Sequence, residues 1–266
     1  MVAIGLSVGL SAVREVVRNP GLVTRAALAN YVLVPVFVLG LLFLFHPDPL
    51  VSAGFLIVAV CPGAPYAPPF TAIAKGNVPA ATGLMAILAG SSAVAAPLLL
   101  YLLVPLMAGK EPLEVDATHI LITLLATQLL PLSIGLLIRD RRPALASRLQ
   151  KPFNQLSKLL NLLVIGIILV VQFHVLSAVR PRAYAGMIAF LALSLATGWV
   201  LGRSGSENRK AMALVTSVRN VSVSLVIATG SFPGSPAVTA VLVYGIFQTL
   251  ASALIALGWG RLARQD

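Results

Sequence analysis

Residues 52–83 read SAGFLIVAVCPGAPYAPPFTAIAKGNVPAATG. The stretch opens as a membrane-type helix and then breaks, because Pro62, Gly63, Pro65, Pro68 and Pro69 fall together between apolar runs. Proline removes a backbone donor and clashes with the preceding turn, so a continuous helix does not survive that density. In lipid a bare backbone group is too costly to keep, and irregular backbone at membrane depth persists only where protein buries it or where it lines a wet cavity. A helix broken at mid-membrane therefore points to a binding site of the kind transporters build.

The rest of the chain fits a membrane setting. Of its 266 residues, 58% are hydrophobic and 10% are charged, with mean hydropathy +0.96. A soluble domain carries about a quarter charged residues. The apolar runs leave no room for a separate soluble domain, so the chain reads as one integral membrane domain. A single cysteine, Cys61, excludes an internal disulfide. The net charge of +11 is spread over short loops between apolar runs, which is a topology signal and not a nucleic-acid patch.

The chain divides into spans at 21–44, 51–74 (broken), 78–108, 118–138, 155–178, 183–202, 211–230 and 237–260. Basic loops at 12–20, 139–152 and 203–210 lie between spans, with turns at HPDP, Lys75-Gly76-Asn77, VRPR and SFPGSP. Met1 opens directly into VAIGLSVGL with no charged n-region, so no signal peptide is expected. That apolar run is too short to span, since about 20 residues are needed. It is either the tail of a helix whose first part is missing or a start internal to a longer protein. With the 12–20 loop placed on the cytoplasmic side and the spans alternating, the inner face receives most of the 19 lysines and arginines, among them Arg139, Arg141, Arg142 and Arg148. The outer face receives Lys110, Arg180 and Arg182, and Arg219 lies inside a span. The positive-inside bias thus predicts a multi-pass protein of the plasma or inner membrane with a cytoplasmic C-terminus.

The halves follow one order. Residues 51–108 hold a broken helix and then a long one, and 209–260 repeat it with a polar, interruptible helix containing Thr216, Ser217, Arg219, Asn220, Ser222 and Ser224. Corresponding broken segments fit an inverted repeat. The expected division is 1–108 as first repeat, lacking its first helix, and 109–266 as second.

CPGAPYAPPFTAIAKGNVPAATG resembles the crossing-helix signature of the bile acid:sodium symporter family, with Cys61, Pro62, Gly63, Gly76, Asn77 and Val78 matching in type and spacing. KAMALVTSVRNVSVSLVIA at 210–228 is similar to the family's second crossing helix, where Asn220 matches, and VLVYGIFQTLASALIA at 241–256 to its last. The resemblance implies an all-α inverted-repeat transporter with two crossed discontinuous helices, a core domain and a panel domain. Nine spans are expected, the family's first being absent. It also implies secondary transport of a small organic anion by alternating access. The alternative is a non-transporting homologue kept as a membrane-embedded receptor or partner.

This chain departs from the family at the sodium ligands. Where the resemblance implies Ser-Asn it has Ala67-Pro68. Where it implies hydroxyls it has Ala81 and Met85. Where it implies glutamate and glutamine it has Val215 and Arg219, and a further glutamine is Asn30. None of the eight acidic residues falls in an expected span, and a hard cation needs several oxygen ligands. No cofactor is expected, and sodium coupling through the family's usual sites is doubtful.

Arg219 has two readings. A charge at the centre of a span is costly and marks a functional site by default. It either anchors an anionic substrate through its guanidinium fork or replaces sodium as a structural cation facing the half-helix C-termini. The expected substrate-binding residues are Arg219, Asn220, Pro62, Gly63, Pro65, Asn30, Gln248 and Thr249, a helix–helix hydrogen bond being the default reading of Gln248, Thr249 and Asn30, with half-helix N-termini offering N–H groups to the anion. Cys61 reads as a buried small hydrophobe, and Tyr31, Tyr101 and Tyr244 as packing inside the bundle. His46, His119 and His174 read as interface residues, without the spacing of a metal site. Without paired carboxylates in a span or a nucleophile–base pair, an enzyme is not expected.

Overall fold

The computed structural model describes residues 1–108, 113, 115–171, 181–203 and 205–263. Expectations for Lys110, for the turn at Arg180, for His174 and for Arg264 lie outside them. The regular structure of the described residues is helix: α1 Val2–Ser7, α2 Leu10–Val17, α3 Pro20–Leu28, α4 Val34–Phe45, α5 Pro49–Ala59, α6 Ala67–Ile73, α7 Val78–Leu103, α8 Ala117–Leu124, α9 Leu130–Arg141, α10 Pro143–Val171, α11 Pro181–Leu201, α12 Gly205–Ser217, α13 Val221–Ser231 and α14 Pro236–Leu262.

Among the described residues, six helical stretches are long and apolar enough to cross a membrane: Pro20–Phe45, Val78–Met107, Ala117–Arg141, Arg182–Leu201, Gly205–Ser231 and Pro236–Leu262. The protein is a polytopic all-α membrane protein. Of the other segments expected to cross, α5–α6 is an interrupted pair and α10 is polar in its first half.

Many helix starts are written locally. Asn19-Pro20, Asp48-Pro49 and Ser235-Pro236 each place a capping side chain before a proline at the first helical position. There the side chain accepts an orphan N–H, and the missing proline donor costs nothing. Asn77 and Asp116 cap α7 and α8 in the same way. Asn77 also ties two distant turns together. Its N–H donates to the Glu207 carbonyl at 3.1 Å, and its Nδ2 donates to Asn208 Oδ1 at 2.8 Å.

Two helices open into a π turn, at Ala29–Leu33 and at Leu125–Leu129. Each is followed two residues later by a proline, Pro35 or Pro131. A proline has no N–H for the carbonyl four residues back and its ring crowds that carbonyl, so the turn widens. Both π turns carry a buried amide, Asn30 and Gln128. Gln128 crosses to α7, donating to the Ala89 carbonyl and, at 2.8 Å, to Ser92 Oγ.

The basic stretches expected as loops are helical. α2 runs through 12–17, α9 and α10 leave only Arg142 outside helix between them, and α12 starts at Gly205. Arginine, lysine and glutamate are good helix formers, and at a helix end their stems can lie along apolar surface while the charges reach water. A second correction concerns Tyr101. Tyr244 is buried and Tyr31 half-buried as expected, but Tyr101 is 60% exposed on the outside of α7. Its neighbours there, Leu98 and Leu102, face outward too, as side chains on a lipid-facing surface would.

Close backbone approaches hold the bundle. A Cβ on Gly5 would lie 2.8 Å from Gly135 Cα, so α1 and α9 meet through a glycine pair, and a Cβ on Gly54 of α5 would lie 2.9 Å from Ala240 Cβ of α14. Small residues at such contacts are how helices associate in lipid, where burial offers little driving force.

Candidate functional site

Two breaks, between α5 and α6 and between α12 and α13, meet. Asn220 makes the junction. Its N–H donates to the Cys61 carbonyl at 2.9 Å, and its Nδ2 donates to the Gly63 carbonyl at 3.3 Å. Its Oδ1 accepts the Val223 N–H at 3.3 Å and so caps α13. One buried side chain thus satisfies groups freed by both interruptions, as irregular backbone at membrane depth demands. The first break turns at Gly63, whose φ of +82° lies in the left-handed region and whose Cα faces the backbone of Ala89 too closely for a side chain. Only glycine fits there without strain.

Gln248 of α14 holds the second break from outside. Its Oε1 accepts the Arg219 N–H at 3.0 Å, and its Nε2 donates to the Arg219 carbonyl at 2.9 Å. The amide of the side chain pairs with the peptide of Arg219 as a neighbouring strand would.

Arg219 itself is 1% exposed. Its Nη1 donates to Asn30 Oδ1 at 3.0 Å, and Asn30 is oriented by its own donation to the Ala26 carbonyl at 2.8 Å. The side chains near enough to act on the guanidinium electrostatically are Tyr244, Cys61 and Tyr31, with no carboxylate among them. Nε and Nη2 are buried and have no hydrogen-bond partner among the described residues. Tyr244 is fixed by stacking on Phe190, with ring centroids 4.5 Å apart, and by an edge contact with Phe55 at 5.9 Å.

A cavity of about 220 Å³ opens beside the junction, lined by Pro65, Tyr66, Arg219, Asn220, Ser222, Leu225, Gln248 and Thr249 among others. Five of the eight expected site residues therefore share one cavity. The other three do not line it: Pro62 and Gly63 are buried in the turn of the first break, and Asn30 lies behind Arg219 as its partner. Thr249 is half-buried, and its hydroxyl donates within its own helix to the Gly245 carbonyl at 2.7 Å. Sequence reading did not single out Tyr66 as a lining residue, although its place beside Pro65 in the break was visible.

The expected N–H donors at the start of α6 are missing. Pro68 and Pro69 occupy its first turn, and the Ala67 N–H donates to the Ala64 carbonyl at 3.2 Å. Any anion at this junction meets side chains more than the end of that half-helix. Cys61 is fully buried, as expected of a small hydrophobe.

Of the positions that the family resemblance associates with sodium, Met85 packs in an apolar cluster with Ile4, Val8 and Leu132, and most of the others fall into two groups. Ala67, Ala81 and Val215 pack into one buried apolar cluster with Ala64, Leu84 and Met212. Arg219 and Asn30 form the hydrogen-bonded pair described above. Neither group presents a carboxylate.

Comparison with known proteins agrees with this architecture. The family model for the sodium bile acid symporter family matches residues 1–179. Across 280 aligned residues the chain is 26% identical to YocS of Bacillus subtilis (strain 168), described as an uncharacterized sodium-dependent transporter, covering 100% of this chain and 82% of that protein. It is 25% identical over 258 residues to YbaS of the same organism, an uncharacterized protein, covering 94% of this chain and 82% of that one. Over 149 residues it is 28% identical to the probable sodium/metabolite cotransporter BASS2, chloroplastic, of Oryza sativa subsp. japonica, covering 56% of this chain and 34% of that protein. A family match over most of the chain, on a bundle of membrane-spanning helices, makes this protein a member of the sodium bile acid symporter family: a membrane transporter and not an enzyme.

Proposed function

We propose that the protein carries a small organic anion by alternating access, and that Arg219 supplies at the crossing point the positive charge its relatives take from sodium. The observation behind this reading is the buried guanidinium of Arg219, held by Asn30 on one side, without a carboxylate, and with Nε and Nη2 unpartnered. An isolated buried cation is costly, and an incoming carboxylate or sulfonate would relieve that cost through two parallel N–H···O bonds. The cavity of about 220 Å³ bounded by Pro65, Asn220, Gln248 and Thr249 supports a small substrate.

Coupling to sodium through the family's usual positions is not part of this reading. Ala67, Ala81 and Val215 offer no oxygen ligand beyond backbone, and their packing leaves the site apolar. YocS carries the description sodium-dependent, so the two proteins would differ at this point. The crossed broken helices would belong to a core that rocks against a panel, in two inverted repeats at 1–108 and 109–266. The chain would lie in the plasma or inner membrane with its C-terminus in the cytoplasm.

Uptake of labelled carboxylates and sulfonates into proteoliposomes, with and without an inward sodium gradient, tests the proposal. Uptake that is indifferent to sodium and lost in Arg219→Gln, with the variant still folded, is expected. Uptake that rises steeply with sodium would overturn the reading of Arg219. Absence of uptake for every anion would favour a receptor or partner role instead.

A further inference from the structure

A second cavity, of about 380 Å³, lies away from the crossing point, at the end of the molecule where α4 finishes and α5 begins. Its walls are Val38, Leu42 and Phe45 of α4, Phe55 of α5, and Phe190 of α11, and its rim carries His46 and Arg182. Volume, apolar walls and a few polar groups at one end are the marks of a ligand site.

The cavity is ordered by depth. Val38 lies about 10 Å along α4 from its end at Phe45, and Phe190 about 12 Å along α11 from Arg182, at 1.5 Å rise per residue. Both walls thus run from apolar side chains at bilayer depth to a cationic rim where the helices end. The rim cation is available. Arg182 is exposed and stands over the Phe45 ring at 5.8 Å, and among the described residues no carboxylate pairs with it. Asp48, the acid at the same rim, already accepts the Leu50 N–H at 2.9 Å as the cap of α5. The floor is preformed, since Phe55 and Phe190 are both locked against Tyr244.

We propose that this groove holds one phospholipid of the adjacent leaflet, its phosphate on Arg182 and an acyl chain along Leu42, Phe55 and Phe190. A lipid has the same vertical order, with anion above and hydrocarbon below, and a guanidinium binds phosphate oxygens through paired N–H donors. The site is independent of the transport reading and shares no lining residue with the crossing-point cavity.

Native mass spectrometry of the full chain in detergent tests it, using phosphatidylglycerol and diacylglycerol with matched chains as probes. The unaltered protein should retain about one phosphatidylglycerol per chain, and Arg182→Gln should weaken retention about tenfold, the loss expected when a charge-assisted hydrogen bond is removed. Gly186→Leu should weaken it as well. A Cβ there meets only Phe45 Cδ2 at 3.9 Å, so the new side chain enters the groove without disturbing backbone. Equal retention of diacylglycerol, unchanged retention in either variant, or no lipid on the unaltered protein would each overturn the proposal. So would inorganic phosphate alone reproducing the lipid's rise in melting temperature, because the groove would then bind a free anion.

Discussion

Replacing Gln248 with leucine asks whether the second break is held from outside its own helix. Gln248 is 1% exposed, and its two hydrogen bonds, 3.0 and 2.9 Å, both go to the peptide of Arg219. Leucine keeps an apolar body of similar bulk but leaves the buried Arg219 N–H bare, while the Arg219 carbonyl keeps one partner, the Val221 N–H at 3.0 Å. Each unsatisfied group costs about 1–3 kcal/mol. Side-chain bonds between membrane helices are usually weaker, about 0.6 kcal/mol on average, because the chain unfolded in lipid finds other partners. Here the abandoned N–H belongs to a junction with no helical partner to fall back on, so the higher scale governs and about 1–3 kcal/mol is expected. At roughly 2–4 °C per kcal/mol for a chain of this size, the melting temperature should fall by about 2–12 °C. Cys61 provides the assay. It is the one cysteine of the sequence and fully buried, so a thiol-reactive dye reports unfolding in detergent. Thr249→Val is the control, since that hydroxyl bonds only within its own helix, and it should change stability by less than about 0.5 kcal/mol. A Gln248→Leu protein that melts within about 1 °C of the parent would refute the argument.

Three further outcomes follow from the same geometry. Gly63→Ala should cost about 3 kcal/mol or more, combining a left-handed backbone with a side chain driven into Ala89, and should appear as a collapse in monodisperse yield on size exclusion. Asn30→Leu should destabilise by about 1.5–3 kcal/mol by stripping the partner from a charged donor, whereas Asn30→Leu with Arg219→Met should regain most of that loss in the same dye assay, because both polar partners are then gone. Tyr101→Leu should leave stability within about 0.5 kcal/mol, because its ring is 60% exposed and packs against no buried cluster; a larger drop on thermal unfolding would contradict its outward position.

What could be read ahead of the coordinates was what local chemistry encodes. The break at Pro62–Pro69 is visible because proline density is incompatible with helix at any depth. Asn-Pro, Asp-Pro and Ser-Pro dipeptides announce helix starts, and Arg219 declares itself as the one charge within its span. The helical course of the basic stretches was hidden, since reading charge as topology turns every arginine cluster into a loop. The outward face of Tyr101 was hidden for another reason: α7 is apolar on all sides, and such a helix carries no pattern telling inside from outside. At the site, Asn220 and Arg219 could be named, but the bracket that Gln248 makes on Arg219 depends on the register of α14 against a distant break. Nothing in the residues around 248 encodes that register.

The first broken segment is fastened to the second at two separate places. One is mid-length, where Asn220 takes the carbonyls of Cys61 and Gly63, and the other is beyond α6, where Asn77 grips Glu207 and Asn208. Two bodies pinned at two points keep a single freedom, a swing about the line joining the pins. Gln248 removes it by fixing the second segment to α14, which is itself pressed against α5 at Gly54. The pair is thus triangulated like a roof truss, and on the proposed reading a solute lodged in it would be turned from one side of the membrane to the other only by shifting the whole frame or whatever leans on it.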